Sequence, residues 1–182
     1  MFTRLAVIPI VLACCWPAHA VEERHGFLVG QVLRVDSAGK TVVVKAADGT
    51  EHTFHFLKGT AVHGSQAVSA AAKDTFHGVQ EGTQVAVHYT AKGTAESADE
   101  IDDIGKDGLR KTQCTVDHVD RAARTLTVKT ANGAEETYQM SGHAARDAGA
   151  GIAAGTGKSA RVTVYYSEKG GHKVVHFFKR AI

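Results

Sequence analysis

Residues 32–56 read VLRVDSAGKTVVVKAADGTEHTFHF, and residues 116–140 read VDHVDRAARTLTVKTANGAEETYQM. The two stretches align without a gap, and 11 of their 25 positions are identical. A slip of one residue would turn every strand side chain to the opposite face, so an ungapped match through two turns indicates a copied backbone. The chain therefore contains an internal duplication.

The spacing of the two copies predicts the domain organisation. Val32 and Val116 are 84 residues apart, which is far too long for a solenoid repeat and fits two small globular domains. We predict one domain over residues 21–108 and a second over residues 109–182. The join falls at residues 102–108, DDIGKDG, which are rich in the turn formers Asp and Gly.

Within each copy the apolar residues alternate with polar ones, and this period of two predicts strands. Alanine-rich stretches at residues 65–73 and 144–154 instead favour a short helix after the third strand. Three strands, a helix and two strands is the order of an OB-like small barrel, so we predict an all-β fold of two tandem five-stranded barrels. The predicted strands are 27–36, 41–46, 51–57, 84–90 and 94–101 in the first copy, and 112–120, 125–130, 135–141, 160–167 and 172–178 in the second.

Residues 1–20, MFTRLAVIPIVLACCWPAHA, have the features of an export signal peptide. Arg4 precedes a short apolar core, and Ala18-His19-Ala20 forms a small-x-small cleavage site. We therefore expect a periplasmic or secreted protein. One alternative stays open, because Val11-Leu12-Ala13-Cys14 also fits a lipoprotein signal, in which a lipidated Cys14 would anchor the chain to a membrane.

The composition after this leader excludes two classes of protein. Without Arg4, 20 basic side chains face 19 acidic ones, so we expect no electrostatic attraction to nucleic acid and no nucleic-acid partner. Cys114 is the single cysteine that remains, so the fold is not a disulfide scaffold. We expect Cys114 to be buried as a small apolar residue, with an intermolecular disulfide as the alternative.

Three short motifs mark the repeat, at residues 30–36 (GQVLRVD), 41–45 (TVVVK) and 49–53 (GTEHT), with matching residues in the second copy. Through these motifs the chain resembles exported bacterial proteins of unknown function built from one or two copies of a small OB-like β-barrel repeat. The resemblance covers residues 27–178. It implies the tandem-barrel fold and no catalytic residue.

Histidine is the enriched functional residue type, with ten copies after the leader. Neutral imidazole is a common ligand of Cu, Zn and Ni, so these residues favour a transition-metal site. The leading candidates are His63, His77 and His88. The segment before the fourth strand is six residues longer in the first copy than in the second. This longer segment contains His63 and His77. An insertion of this kind can add a function without disturbing the core. The alternative is surface histidines that merely titrate near pH 6.5.

The sequence shows no catalytic triad, zinc signature or cofactor loop, so we predict no catalytic or cofactor-binding residue and no enzyme. The predicted function is an exported non-catalytic binding or envelope-interaction module whose partner is an unidentified envelope or extracellular ligand; the oligomeric state stays open. The alternative is a His-based Cu, Zn or Ni binding protein of the periplasm. Exported copper carriers on a related small barrel use Met and Trp beside His, whereas this chain after its leader has only Met140 and no Trp.

Overall fold

The structure is a computed structural model that describes residues 22–63, 79–148, 160–169 and 171–180. The predicted leader, the predicted helix at residues 65–73 and His77 lie outside these residues. The first copy forms β1 Glu23–Asp36, β2 Thr41–Ala46, β3 Glu51–His63, β4 Gln84–Lys92 and β5 Ala95–Asp103. The second forms β6 Arg110–Asp120, β7 Thr125–Thr130, β8 Glu135–Met140, α1 Gly142–Asp147, β9 Arg161–Lys169 and β10 His172–Arg180.

Each copy closes into a five-stranded barrel. The first has the strand order β1-β2-β3-β5-β4 and the second the order β10-β8-β7-β6-β9, with the two ends of each order paired in a closed barrel. One neighbouring pair in each barrel is parallel, β3 with β5 and β8 with β10, and the others are antiparallel. The predicted all-β fold of two tandem OB-like barrels is confirmed.

The duplication is visible in the backbone as well as in the residues. β1 has a register shift between Val32 and Arg34, and β6 has one at the matching place, between Val116 and His118. The following turns also match, because Lys40 and Arg124 have φ angles of 52° and 53°. Both residues occupy the left-handed region that side chains other than Gly rarely adopt. The two copies therefore share local geometry that one slipped residue would destroy.

The alternating apolar residues form one core in each barrel. Val42, Val44, Phe54 and Ile101 are completely buried in the first barrel. In the second, Leu126, Val128 and Tyr138 are at most 1 % exposed. Cys114 lies in the second core, 6 % exposed, and burial raises the pKa of its thiol to about 11. The predicted burial of Cys114 is confirmed.

Several element boundaries differ from the sequence prediction; β1, for example, begins at Glu23 and not at Phe27. β3 continues to His63, six residues beyond the predicted end of this strand. β5 continues through Asp103, so Asp102 belongs to a strand and not to the join between the copies. α1 begins at Gly142, where the Ser141 hydroxyl caps it by accepting from the Ala144 amide at 3.2 Å. No helix among the described residues has the length and apolar character needed to cross a membrane.

Candidate metal centre

Two carboxylates lie on the outer face of the first barrel, on either side of a core residue. Ile101 of β5 points into the barrel core, and side chains alternate along a strand, so Glu100 and Asp102 point away from that core. Even so, Glu100 is 0 % and Asp102 2 % exposed. They are covered by α1 and β10 of the second barrel, whose residues hydrogen-bond to both of them.

His63 joins these carboxylates because β3 runs parallel to β5. The register places His63 opposite Asp102, and the His63 Nδ1 atom lies 2.7 Å from Asp102 Oδ1 and 3.3 Å from Glu100 Oε1. One donor atom from each of the three residues lies within 4.8 Å of the others. The His63 side chain is 47 % exposed, so the cluster has one side open to solvent.

The first turn of α1 fixes the Glu100 carboxylate. The Gly142 amide donates to Glu100 Oε1 at 2.8 Å, and the His143 amide donates to Oε2. The Arg146 Nη2 atom lies 3.7 Å from Oε2. A side chain of the first barrel thus satisfies backbone donors that a helix leaves without intrahelical partners.

Asp102 is fixed by a hydrogen-bonded chain from the second barrel. His176 Nδ1 lies 2.7 Å from Asp102 Oδ2, and His176 Nε2 lies 2.8 Å from the Ser167 hydroxyl. His176 is aimed at Asp102 by a β-bulge, since the register of β9 and β10 shifts between Val175 and Phe177.

Ser167, His176 and Asp102 form a hydrogen-bonded chain of the residue types found in a hydrolase triad. A nucleophile must reach its substrate, and Ser167 is only 4 % exposed.

Contacts within the cluster and with His176 shift the pKa values of His63 and Asp102 in opposite directions. Hydrogen bonds to Asp102 and then to Glu100 raise the pKa of His63 to about 10. Burial alone raises the pKa of Asp102, but hydrogen bonds from His176 and His63 outweigh burial and hold it at about 2. At neutral pH the metal-free cluster therefore contains an ionised Asp102 and a protonated His63.

His88 is also buried between the barrels but makes different contacts. Its Nε2 atom donates to the His176 carbonyl oxygen at 2.9 Å, and its ring stacks on that of His143 with centroids 3.9 Å apart. Burial, and then the neighbouring His143, lower the pKa of His88. Of the three ligands predicted from sequence, only His63 belongs to the cluster of converging donors; His77 lies outside the described residues.

Glu100 and Asp102 were not among the predicted ligands, although the sequence carries a signal for them. In residues 98–102, ADEID, acidic residues stand at both positions that flank Ile101. On a strand with Ile101 in the core, that spacing places two carboxylates on one outer face, in contact reach of the neighbouring strands. The prediction missed this because it ended the strand at Ile101 and assigned Asp102 to the join.

Comparisons with known proteins find similarity to small solved barrels. No protein family and no curated protein matches the sequence. The silver-bound protein Ag(I)CusF is 15 % identical over 43 % of this chain and 95 % of its own, with a TM-score of 0.32. Apo-CusF, residues 6–88, from Escherichia coli is 13 % identical over 52 % of this chain and 95 % of its own, also with a TM-score of 0.32. This degree of likeness assigns no ligand and no residue role to the present protein.

Proposed function

We propose that the protein is an exported, non-catalytic binding module that holds a divalent transition-metal ion between its two barrels. The proposed ligands are His63, Glu100 and Asp102. The observation that carries the proposal is the convergence of their donor atoms within 4.8 Å. The export part of the proposal rests on the sequence of residues 1–20.

The donor set favours Zn²⁺ and its neighbours over monovalent copper or silver. One imidazole nitrogen and two carboxylate oxygens are ordinary ligands of Zn²⁺, and a three-ligand set leaves a further position for water. Soft ions such as Cu(I) prefer thiolate and thioether sulfur. The two sulfur-bearing residues after the leader, Cys114 and Met140, are buried in the core of the second barrel, so neither belongs to the cluster.

The second barrel holds the carboxylates in place before a metal arrives. Glu100 accepts two backbone hydrogen bonds from the start of α1, and Asp102 accepts one from His176. Asp102 Oδ1 faces His63, while Oδ2 is occupied by His176. Partners of this kind, outside the ligands themselves, fix ligand orientation and are typical of metal sites in proteins.

A proton on His63 is the competitor of the metal ion. The pKa of His63 is raised to about 10 by the same carboxylates that would attract the cation. Imidazole must lose its proton to ligate, so binding one ion releases one proton. Between pH 6 and pH 8, below the pKa of His63, the fraction of deprotonated imidazole rises about tenfold per pH unit. We therefore expect the metal affinity to rise by the same factor.

Calorimetric titration of Zn²⁺ into tag-free protein tests the proposal. At pH 7.5 we expect one saturable site with a Kd below about 10 μM, and its heat should differ between buffers of different ionisation enthalpy. His63→Ala should weaken binding at least tenfold. His55→Ala is the matched control, since His55 lies on the same strand but is exposed and outside the cluster.

A purely structural cluster would give a different result. Circular dichroism spectra should first show that the His63→Ala protein folds. If Zn²⁺ then binds the His63→Ala protein as tightly as the unchanged protein, or if the unchanged protein shows no saturable binding at pH 8, His63, Glu100 and Asp102 form an ion-pair network and not a metal site.

A further inference from the structure

A second feature lies between the barrels, beside the metal cluster but built from different side chains. It is an open cleft with a volume of about 620 Å³. This lies in the range of pockets that hold small organic molecules. Its lining comes from β1 and β4 of the first barrel and from α1 and β10 of the second: His25, Gly26, Phe27, His88, His143, Arg146, Asp147, Phe177 and Lys179.

Aromatic rings from both barrels form one wall of the cleft. Phe27 of the first barrel stacks on Phe177 of the second, with centroids 4.8 Å apart and an interplanar angle of 11°. Phe27 also contacts the His88 ring at 4.7 Å, and His88 stacks on His143. The two inner rings, Phe27 and His88, belong to the first barrel and the two outer rings, Phe177 and His143, to the second, so this wall exists only where the two barrels meet. The edges of these rings form an apolar wall against which another aromatic ring can pack edge-to-face.

The charged groups of the lining are mainly positive. The Nη2 atom of Arg146 lies 3.7 Å from the buried Glu100 carboxylate, but the side chain is 64 % exposed, so the other N–H donors of its guanidinium can reach a ligand. Lys179 is exposed, and its Nζ atom lies 5.8 Å from the centre of the Phe177 ring. The one carboxylate in the lining, Asp147, already contacts His143 Nδ1 at 3.3 Å. The cleft therefore offers two permanent cations next to an aromatic wall.

We propose that this cleft binds a small organic anion with a planar apolar body, such as an aromatic carboxylate. Arg146 would hold the carboxylate through the paired N–H donors of its guanidinium, which match that group. Lys179 would add a second positive charge, and the planar body would lie against Phe27 and Phe177. His63, Glu100 and Asp102 do not line the cleft, and Arg146 connects the two sites because its Nη2 atom lies 3.7 Å from Glu100 Oε2.

Four probes separate charge from shape. Benzoate carries both features, benzylamine has the ring with the opposite charge, benzyl alcohol has the ring without charge, and sulfate has charge without a ring. Each is titrated into ¹⁵N-labelled protein in EDTA, so that metal binding plays no part, and amide shifts are followed by NMR. We expect saturable shifts near residues 25–27, 143–147 and 177–179 with benzoate. The other three probes should bind at least tenfold more weakly.

Variants test the assigned roles. Arg146→Gln should weaken benzoate binding at least tenfold and Lys179→Gln about threefold, whereas Arg121→Gln, at an exposed turn, should have no effect. All three positions are exposed, so these proteins should fold. Equal binding of benzoate and benzylamine, shifts spread over the whole surface, or unchanged benzoate binding by the Arg146→Gln protein would overturn the proposal. Zn²⁺ binding is measured separately on protein with Arg146 unchanged, because Arg146 also contacts Glu100.

Discussion

The two barrels have the same strand arrangement, but the outer surfaces where they meet carry chemically different side chains. In the first barrel His88 pairs with Glu100 beside a register shift in β4 and β5; in the second, Tyr165 pairs with Phe177 beside the equivalent shift in β9 and β10. The buried acidic face of one copy thus corresponds to an aromatic face of the other. Duplication supplied two similar frameworks, and divergence of the outward positions made their facing surfaces complementary.

The bulged residue shows the same divergence. Because of the register shift, Asp99 in the first barrel and His176 in the second have no partner residue on the neighbouring antiparallel strand. Asp99 accepts a hydrogen bond from Thr90 of its own barrel at 2.8 Å, whereas His176 crosses to Asp102 of the other barrel. One backbone irregularity therefore serves a local contact in one copy and an inter-barrel contact in the other, and the side chain alone makes the difference.

The largest difference between equivalent positions should appear at Asp102 and Lys179. Asp102→Ala removes the acceptor of both His176 and His63 in a buried site, and we expect a loss of about 3 kcal/mol in the free energy of unfolding. Lys179→Ala changes an exposed side chain and should cost less than about 0.5 kcal/mol. Urea unfolding followed by circular dichroism measures both. Equal losses would show that the outer faces do not differ in energetic importance.

A second comparison concerns Gly30 and Cys114, which hold the same position in the two copies. A Cβ atom added at Gly30 would overlap the Lys45 carbonyl oxygen and lie 2.7 Å from Val44 Cγ1. We expect Gly30→Ala to destabilise the protein by about 2 kcal/mol through overpacking, whereas Cys114→Ala should lose about 1 kcal/mol through removal of a small buried group. Thermal unfolding of the two variants decides it; a larger loss at Cys114 would contradict the steric account.

His63 and Asp102 of the first barrel should each make the stability depend on pH. The pKa of His63 is about 10 in the folded state against 6.5 ordinarily, so its contribution is complete below pH 6.5 and is lost as the pH rises towards 10. The pKa of Asp102, about 2 instead of 3.8, makes its contribution disappear as the pH falls from 3.8 to 2. Between pH 3.8 and 6.5 both contributions are present.

Urea midpoints of metal-free protein in EDTA test this window. The stability gap between the unchanged protein and His63→Gln should be at most about 1 kcal/mol, because solvent screens the half-exposed His63, and it should vanish near pH 10. His55→Gln, on the same strand, should show no such trend. A gap that widened above pH 7 would mean that His63 is not held as a cation by Glu100 and Asp102.

The smallest effect should come from a side-chain pair whose basic and acidic members are exchanged between the copies. His52 and Glu96 contact each other at 3.0 Å in the first barrel, and Glu136 and Lys173 contact each other at 2.7 Å at the equivalent place in the second. We expect Glu136→Gln to cost about 0.5 kcal/mol, the usual value of an exposed pair. A double-mutant cycle with Lys173→Gln measures the interaction free energy of Glu136 and Lys173. An interaction above about 2 kcal/mol would contradict the description of this contact as a solvent-screened surface pair.

Most of the fold was predictable because strands and turns leave local patterns. The bounds of β2 and β7 agree with prediction at both ends, since a short run rich in β-branched residues between Asp- or Gly-containing turns specifies a short strand. Asp36 and Asp120 each accept a hydrogen bond from the turn that follows, as turn-forming residues do. The end of β5 was predicted too early, because acidic residues such as Asp102 are rare in strands and common in turns.

The sequence by itself determined the duplication and the two barrel cores, because the duplication is read directly by aligning the two stretches and each core follows from the alternation of residues within its strands. The tertiary structure alone decided that Glu100 and Asp102 are buried, that His176 reaches Asp102 and that Phe27 stacks on Phe177. The physical reason is that alternation along a strand identifies the side that faces its own core. Which residues cover the outer side depends on how the second barrel packs against the first, and no local sequence pattern encodes that packing.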